Sequence, residues 1–216
     1  MPSWFAIGSI FMPMNKLVFA TNNENKVTEI RKVLGNQIEI ITLREAGIDI
    51  DIPEPHDTLE KNATEKSTTI FRMTGLSCFS EDTGLEVEAL NGEPGVKSAR
   101  YAGEGRDTKD NMEKLLANLE GLENRKARFR TVISLIWNGK ETFFEGICEG
   151  NIIKFSRGYN GFGYDPIFIP DGSAKTFGEM NIEEKNKYSH RKKSVEKLLQ
   201  FLKQHLDTQD KSPKFN

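Results

Sequence analysis

Apolar residues along this 216-residue chain fall into short continuous runs and helical stripes, and their spacing predicts alternating strands and helices. Leu17-Val18-Phe19-Ala20 is a continuous apolar run, the pattern of a strand buried on both faces. Val27, Ile30 and Leu34 then recur at helical spacing until Gly35 stops them. A second strand is expected over residues 38–43, so the chain opens as strand, helix, strand, which favours an α/β fold. A helix is expected over residues 58–73 with Leu59, Ala63, Ile70 and Met73 facing inward, followed by a strand over 76–80 that runs into Glu81-Asp82-Thr83-Gly84. Met112, Leu115, Leu116 and Leu119 form an amphipathic stripe. Over 126–137 the pattern changes to strict alternation, with Ala127, Phe129, Thr131, Ile133, Leu135 and Trp137 on one face. Asn138-Gly139 then turns the chain and 141–149 returns, a strong hairpin signal. Val195, Leu198, Leu199, Leu202 and Leu206 mark a last helix. The fold class is therefore α/β, with a mixed sheet that is part parallel and part long antiparallel ribbon, flanked by helices.

Composition narrows the classes. Hydrophobic residues make up 37% and charged residues 29%, mean hydropathy is -0.54, and no run of about 18 apolar residues occurs, which excludes a helical membrane span. Fourteen Phe, two Trp and four Tyr supply a core and argue against disorder. A net charge of -2 lacks the basic excess that grip on a nucleic-acid backbone requires. Cys78 and Cys148 cannot make a disulfide framework or a four-ligand zinc site, so a cytoplasmic protein is expected. Residues 1–13 read as an apolar extension without the positive start of a secretory signal, and Met14 is a second candidate start. Residues 14–206 are expected to form a single domain, and 207–216 a polar tail.

Four polar clusters interrupt the pattern. Thr21-Asn22-Asn23-Glu24-Asn25-Lys26 lies at the first strand-to-helix junction, where the free N–H groups of a helix start meet anions in α/β proteins. Thr21 and Asn23 add side-chain donors and Lys26 a positive charge; an ordinary helix cap would use the same residues. The segment is not a Walker loop, because G-x-x-x-x-G-K-[ST] is absent. Glu54, Asn62 and Lys66 form the second cluster, the last two sharing a helical face, which a solvated surface would also explain. The third is Glu81-Asp82-Thr83-Gly84. Adjacent carboxylates at the C-terminal end of a buried strand are costly unless a cation meets them, and Mg2+ held by one or two carboxylates plus substrate phosphates would do so. The fourth joins Gly-Tyr-Asn-Gly-Phe-Gly-Tyr-Asp-Pro (158–166) to Ser189 and the run His190, Arg191, Lys192, Lys193. Here glycines allow close backbone approach, Phe162 and Tyr164 offer flat faces for a base, and cations in a helix's first turn oppose its dipole and ask for an anionic or carbonyl-bearing partner.

Taken in order, these motifs resemble the inosine triphosphate pyrophosphatase family, house-cleaning enzymes that hydrolyse non-standard purine nucleoside triphosphates. The resemblance spans residues 14–206 and rests on Ala-Thr-Asn-Asn-Glu-Asn-Lys (20–26), Glu-Lys-Asn-Ala (60–63) with Lys66, and Glu-Asp-Thr-Gly-Leu (81–85). Gly-Val-Lys-Ser-Ala-Arg-Tyr-Ala-Gly (95–103), Gly-Phe-Gly-Tyr-Asp-Pro (161–166) and Ser-His-Arg (189–191) complete it. It implies an elongated sheet with a nucleotide cleft between two lobes, Mg2+ as cofactor, a homodimer, and purine nucleoside triphosphates such as ITP, dITP and XTP as substrates, split to the monophosphate and pyrophosphate. Thr21, Asn23, Lys26 and Lys66 match triphosphate-binding positions; Glu54 and Asp82 match the acidic positions for the metal, with Asp82 the general base. Phe162 matches the base-stacking aromatic, with Gly163, Tyr164 and Thr83 beside the substrate. Asp165, His190 and Arg191 match readers of the purine edge, and Lys185 and Ser189 fall at further nucleotide contacts. Glu81 stands where some members carry Asp, and the extension before Met14 has no counterpart. Two other classes use similar loops: a nucleotide sensor without hydrolysis, which would not need Glu54 and Asp82 together, and a nucleic-acid-binding module, which the charge of -2 opposes.

Overall fold

The computed structural model describes residues 16–36 and 38–209, the last four without side chains. The N-terminal extension and the Leu206 side chain thus lie outside the described residues. The chain opens with β1 (Lys16–Phe19), α1 (Glu24–Leu34) and β2 (Glu39–Thr42), with β1 and β2 parallel. The Asn23 side chain accepts the Lys26 backbone N–H to cap α1, and Gly35 ends it at a positive φ of 55° that favours glycine. After α2 (Leu59–Thr74), β3 (Cys78–Val87) returns parallel to β1, then pairs antiparallel over its whole length with β5 (Lys126–Trp137). The two-residue strand β4 (Pro94–Gly95) pairs with β3. The sheet order is β2-β1-β3-β5-β6-β7, where β6 spans Lys140–Ile152 and β7 Phe168–Pro170.

The expected hairpin is present: Trp137 pairs with Lys140 across Asn138 and Gly139, at φ of 50° and 75°. Two positive φ values in a two-residue loop are the type I′ geometry whose twist suits the flanking strands. Helices cover both faces. On one, α1 and α5 (His190–Gln209) pack Val27, Ile30, Leu34, Val195, Leu198 and Leu202 against Leu17, Phe19, Phe79, Ile133 and Leu135. Each such side chain contributes about 1.5–3 kcal/mol when fully buried. On the other face lies α2, with Ser67 against Ser134 (2.7 Å) and the Ser80 hydroxyl donating to the Ala63 carbonyl (2.5 Å). A second apolar cluster sits at the far end of the ribbon, under α3 (Thr108–Asn118), with Leu85, Leu115, Leu119, Phe129, Phe168 and Phe177. These two cores, joined by β3, β5 and β6, are the two lobes.

Three details depart from the sequence reading. Met73 is 50% exposed, because α2 is nearly spent there and the sheet no longer faces it. The strand expected at 76–80 starts at Cys78 and runs to Val87, since the long partner β5 carries its pairing through Glu81-Asp82-Thr83-Gly84. That segment is therefore mid-strand rather than beyond a strand's end. The backbone of α5 continues to Gln209, into the segment expected as a tail. Cys78 and Cys148 are buried free thiols that burial pushes up to about 12. Among the described residues no helix is long and apolar enough to cross a membrane.

Candidate active site

The side-chain period of two along a strand decides what the adjacent carboxylates Glu81 and Asp82 do. They point to opposite faces of β3, and each meets its own cations. Glu81 lies on the α1/α5 face: Arg191 donates from Nε to Oε2 (2.8 Å) and from Nη2 to Oε1 (3.0 Å), and Lys26 Nζ lies 3.1 Å from Oε1. Burial raises the Glu81 carboxyl, but Arg191 and Lys26 outweigh it and hold the group well below the usual carboxylate range. Asp82 lies on the α2 face. Lys66 Nζ donates to its Oδ1 (3.2 Å) and Asn62 Nδ2 to its Oδ2 (3.3 Å). Burial raises the Asp82 carboxyl above its ordinary value, helped by the nearby Glu54 charge and opposed by Lys66 and Lys26.

Glu54 reaches this cluster from the irregular segment between β2 and α2. It accepts from the same Lys66 ammonium, while Arg100 donates to its backbone carbonyl (2.7 Å) and stands 3.6 Å from its carboxylate. Lys66 adds a bond to the Glu81 carbonyl (2.8 Å) and is held protonated by Asp82 and Glu54 against the cost of its burial. Asn22 donates to the Ile50 carbonyl (2.8 Å), so the end of β1 also ties this segment down. Among the described residues no three His, Cys, Asp or Glu side chains gather as a metal cage. The donor set instead fits Mg2+, which takes one or two carboxylates and keeps water and phosphate oxygens for the rest. Glu54 and Asp82 are two hard oxygen donors that share the Lys66 ammonium, and all three line the open cavity.

At the other end, Lys185 from the short helix α4 (Ile182–Lys185) bonds Glu29 (2.7 Å) and Asp165 Oδ2 (2.7 Å), and Asp165 Oδ2 also accepts the Phe162 N–H (2.8 Å). Arg191 is 2% exposed and adds bonds to Glu29 and to Thr83 Oγ1 (3.4 Å). Lys185 Nζ lies 5.2 Å and Arg191 Cζ 5.5 Å from the Phe162 ring centroid. His190 stacks on Phe129 (4.7 Å, 15°), and its Nδ1 has no hydrogen-bond partner among the described residues. Burial, with Arg191 and Lys185 nearby, drives the imidazole well below its usual range, so it is neutral at pH 7. The four-residue basic run thus divides: His190 is uncharged, Arg191 turns inward, Lys192 pairs with Glu196 and Lys193 bonds the Ile147 carbonyl.

Of the residues that the resemblance matches to site positions, all except Ser189 line one cavity of about 550 Å³: Thr21, Asn23, Lys26, Glu54, Lys66, Asp82, Thr83, Phe162, Gly163, Tyr164, Asp165, Lys185, His190 and Arg191. Ser189 caps α5, its hydroxyl accepting the Lys192 N–H (3.2 Å). Tyr164 is largely buried and anchored, its hydroxyl donating to the Ser98 carbonyl (2.9 Å). Glu29 and Arg100 were not selected from the sequence. Glu29 falls three residues after Lys26 on the same helical face, a spacing that points it at the same site.

The start of α5 is positioned by Gly146 on β6. A Cβ there would overlap the His190 carbonyl and lie 2.6 Å from Ser194 N. Gly146→Ala must therefore push back the turn that carries His190 and Arg191. A destabilisation of about 1–3 kcal/mol, read as a lowered thermal midpoint, is expected together with a loss of activity.

Residues 17–201 match the sequence profile of the Ham1 family. The dITP/XTP pyrophosphatase of Flavobacterium psychrophilum is 50% identical over 188 residues, covering 87% of this chain and 99% of that protein. That of Porphyromonas gingivalis is 52% identical over 190 residues, covering 88% and 98%. Among solved structures, the Staphylococcus aureus Ham1 protein superposes with a TM-score of 0.80 at 37% identity, over 88% of this chain and 99% of that one. The Coxiella burnetii HAM1 protein gives 0.81 at 36% identity, over 88% and 98%. With the profile matched across both lobes, this chain belongs to the Ham1 family.

Proposed function

We propose that this protein hydrolyses non-standard purine nucleoside triphosphates, dITP, ITP and XTP, to the monophosphate and pyrophosphate, removing them from the nucleotide pool. One observation carries the reading. A single cavity holds a lysine–carboxylate cluster at one end and, at the other, the Phe162 ring flanked by the buried cations Lys185 and Arg191. The first suits a triphosphate, the second an aromatic base bearing carbonyls. The named relatives, at about half identity along nearly their whole length, support the same substrates.

In this reading the triphosphate lies across the N-terminus of α1, with Thr21, Asn23 and Lys26 on one side and Lys66 on the other. Asp82 accepts a proton from the water that attacks the α-phosphorus; the bond to the α–β bridging oxygen breaks and pyrophosphate leaves, its charge met by Lys26 and Lys66. Glu54 and Asp82 would hold Mg2+, which when bound supplies charge neutralisation and alignment of the phosphates. The base stacks on Phe162. Arg191 has five N–H donors, and four go to Glu81, Glu29 and Thr83, which leaves one beside the stacking ring for a purine 6-carbonyl. Adenine presents an amino donor there, and such a mismatch in a polar site supports discrimination on the order of 10⁴. The family likeness further supports a homodimer, and the net charge of -2 opposes nucleic-acid binding.

The test is product analysis with Mg2+ and, separately, dITP, XTP, ATP and GTP. Pyrophosphate from dITP and XTP, with little from ATP or GTP, is the expected result. Orthophosphate as the first product would overturn the bond assignment, and tight dITP binding without any product would favour a sensor.

A further inference from the structure

The buried side chain of Asn62 joins two parts of this site that are far apart in sequence. It projects from the first turns of α2 and is 0% exposed. A primary amide offers two N–H donors and a carbonyl acceptor, and here all three are used. The Asn62 Oδ1 accepts the backbone N–H of His56 (2.9 Å), Nδ2 donates to the backbone carbonyl of His56 (3.2 Å), and Nδ2 donates also to Asp82 Oδ2 (3.3 Å). His56 lies two residues after Glu54, in the segment without regular structure that brings Glu54 to the cavity. One side chain therefore clasps both polar groups of a loop residue and at the same time holds one oxygen of the carboxylate on β3.

We infer that Asn62 is a positioning residue, which sets the rotation of the Asp82 carboxylate and the approach of Glu54 together. The inference rests on the roles given above to Asp82 and Glu54. Lys66, one turn along the same helix, holds the other Asp82 oxygen and also bonds Glu54. The two α2 side chains thus fix Asp82 at both oxygens, and their contributions differ. Lys66 brings charge and sits where phosphate oxygens arrive, whereas Asn62 is neutral, fully buried and absent from the cavity lining, so it acts only through the groups it orients. A purely fold-stabilising polar side chain is seen elsewhere on the helix in Ser67, also 0% exposed, whose hydroxyl bonds Ser134 and the Thr64 carbonyl. A displacement of about 1 Å in a reacting group can cost ~10²-fold in rate, so loss of the clasp falls on turnover more than on substrate affinity.

The experiment compares wild type, Asn62→Ala, Asn62→Asp and Ser67→Ala at pH 8, at a temperature well below all their thermal midpoints. Readouts are kcat and KM for dITP and, by calorimetry, dITP affinity. Asn62→Ala is expected to lower kcat about 10–100-fold with KM and binding within about threefold of wild type. Ser67→Ala is expected to lower the midpoint but keep kcat. Asn62→Asp matches the native size and keeps the acceptor for the His56 N–H, so it answers the question if the alanine variant does not fold; its kcat is expected to fall as well. Wild-type kcat in either folded Asn62 variant, a loss confined to KM, or an equal loss in Ser67→Ala would overturn the inference. A wild-type protein that fails to hydrolyse dITP would instead overturn the proposed reaction.

Discussion

Replacing Asp82 with asparagine is expected to leave a folded protein that binds dITP with near-native affinity and turns it over ~10²–10⁴-fold more slowly, the usual worth of a general base. The substitution keeps the size of the side chain and an oxygen for Lys66 to bond, and removes the charge, the basicity and the second oxygen, which accepts the Asn62 N–H. Stability should suffer little, because that lost bond is offset. Burial raises the Asp82 carboxyl above its usual value, so its ionised form is disfavoured in the fold despite Lys66, and a neutral amide relieves that cost. Lys66 retains Glu54 and the Glu81 carbonyl as partners. Burst-free steady-state kinetics, a binding isotherm and a thermal melt on the same preparation check all three statements. A kcat within tenfold of wild type would remove Asp82 from the role of base, and a collapse of binding would make it a substrate ligand instead.

Much of this site was legible in the sequence because its residues stand in short motifs at the ends of elements. Asn23, Lys26, Phe162 and Arg191 sit at helix starts or in glycine-rich turns, where apolar periodicity breaks and polar residues are conspicuous. The hairpin was equally plain, since Asn138-Gly139 states its turn type by itself. What the pattern hid were the partners. Glu81 and Asp82 read as a strand's end because nothing local says that β5 extends the pairing to Val87; that length is fixed by a distant strand, through pairs such as Val87 with Ala127. Their division onto opposite faces, which gives Glu81 to Arg191 and Lys26 and Asp82 to Lys66 and Asn62, depends on the same fact. Glu29 was missed because it lies within an ordinary amphipathic helix, and its bonds go to Lys185 and Arg191 near the other end of the chain. His190 looked like one of four cations; only its stacking on Phe129 and its burial show that it carries no charge.

The loss of Arg191 should act on both the fold and base selection, and the two effects can be separated. In Arg191→Met the buried carboxylates of Glu81 and Glu29 lose their shared guanidinium and keep only Lys26 and Lys185. Breaking a buried ionic network by deleting one partner costs about 3–5 kcal/mol, because the remaining charges stay desolvated. That loss should depend on pH. In the native protein burial raises the Glu29 carboxyl, but Arg191 and Lys185 together hold it below its ordinary value. This contribution is present above the unfolded carboxylate pKa, about 4.3, and is lost as pH falls through the lowered native one. Without Arg191 only Lys185 opposes burial at Glu29, so its carboxyl rises and this share of the stability shrinks. The gap in stability between wild type and variant is therefore expected to be widest above about pH 4.3 and to narrow as pH falls below it, as read by denaturant melts from neutral pH downward. A gap independent of pH would mean that the charges are not coupled as their geometry requires. Selectivity is read on the same variant under conditions where it is folded. If the spare Arg191 N–H meets the 6-carbonyl, kcat/KM for dITP should fall far more than that for dATP, whereas equal losses on both would assign Arg191 to holding the pocket's shape alone.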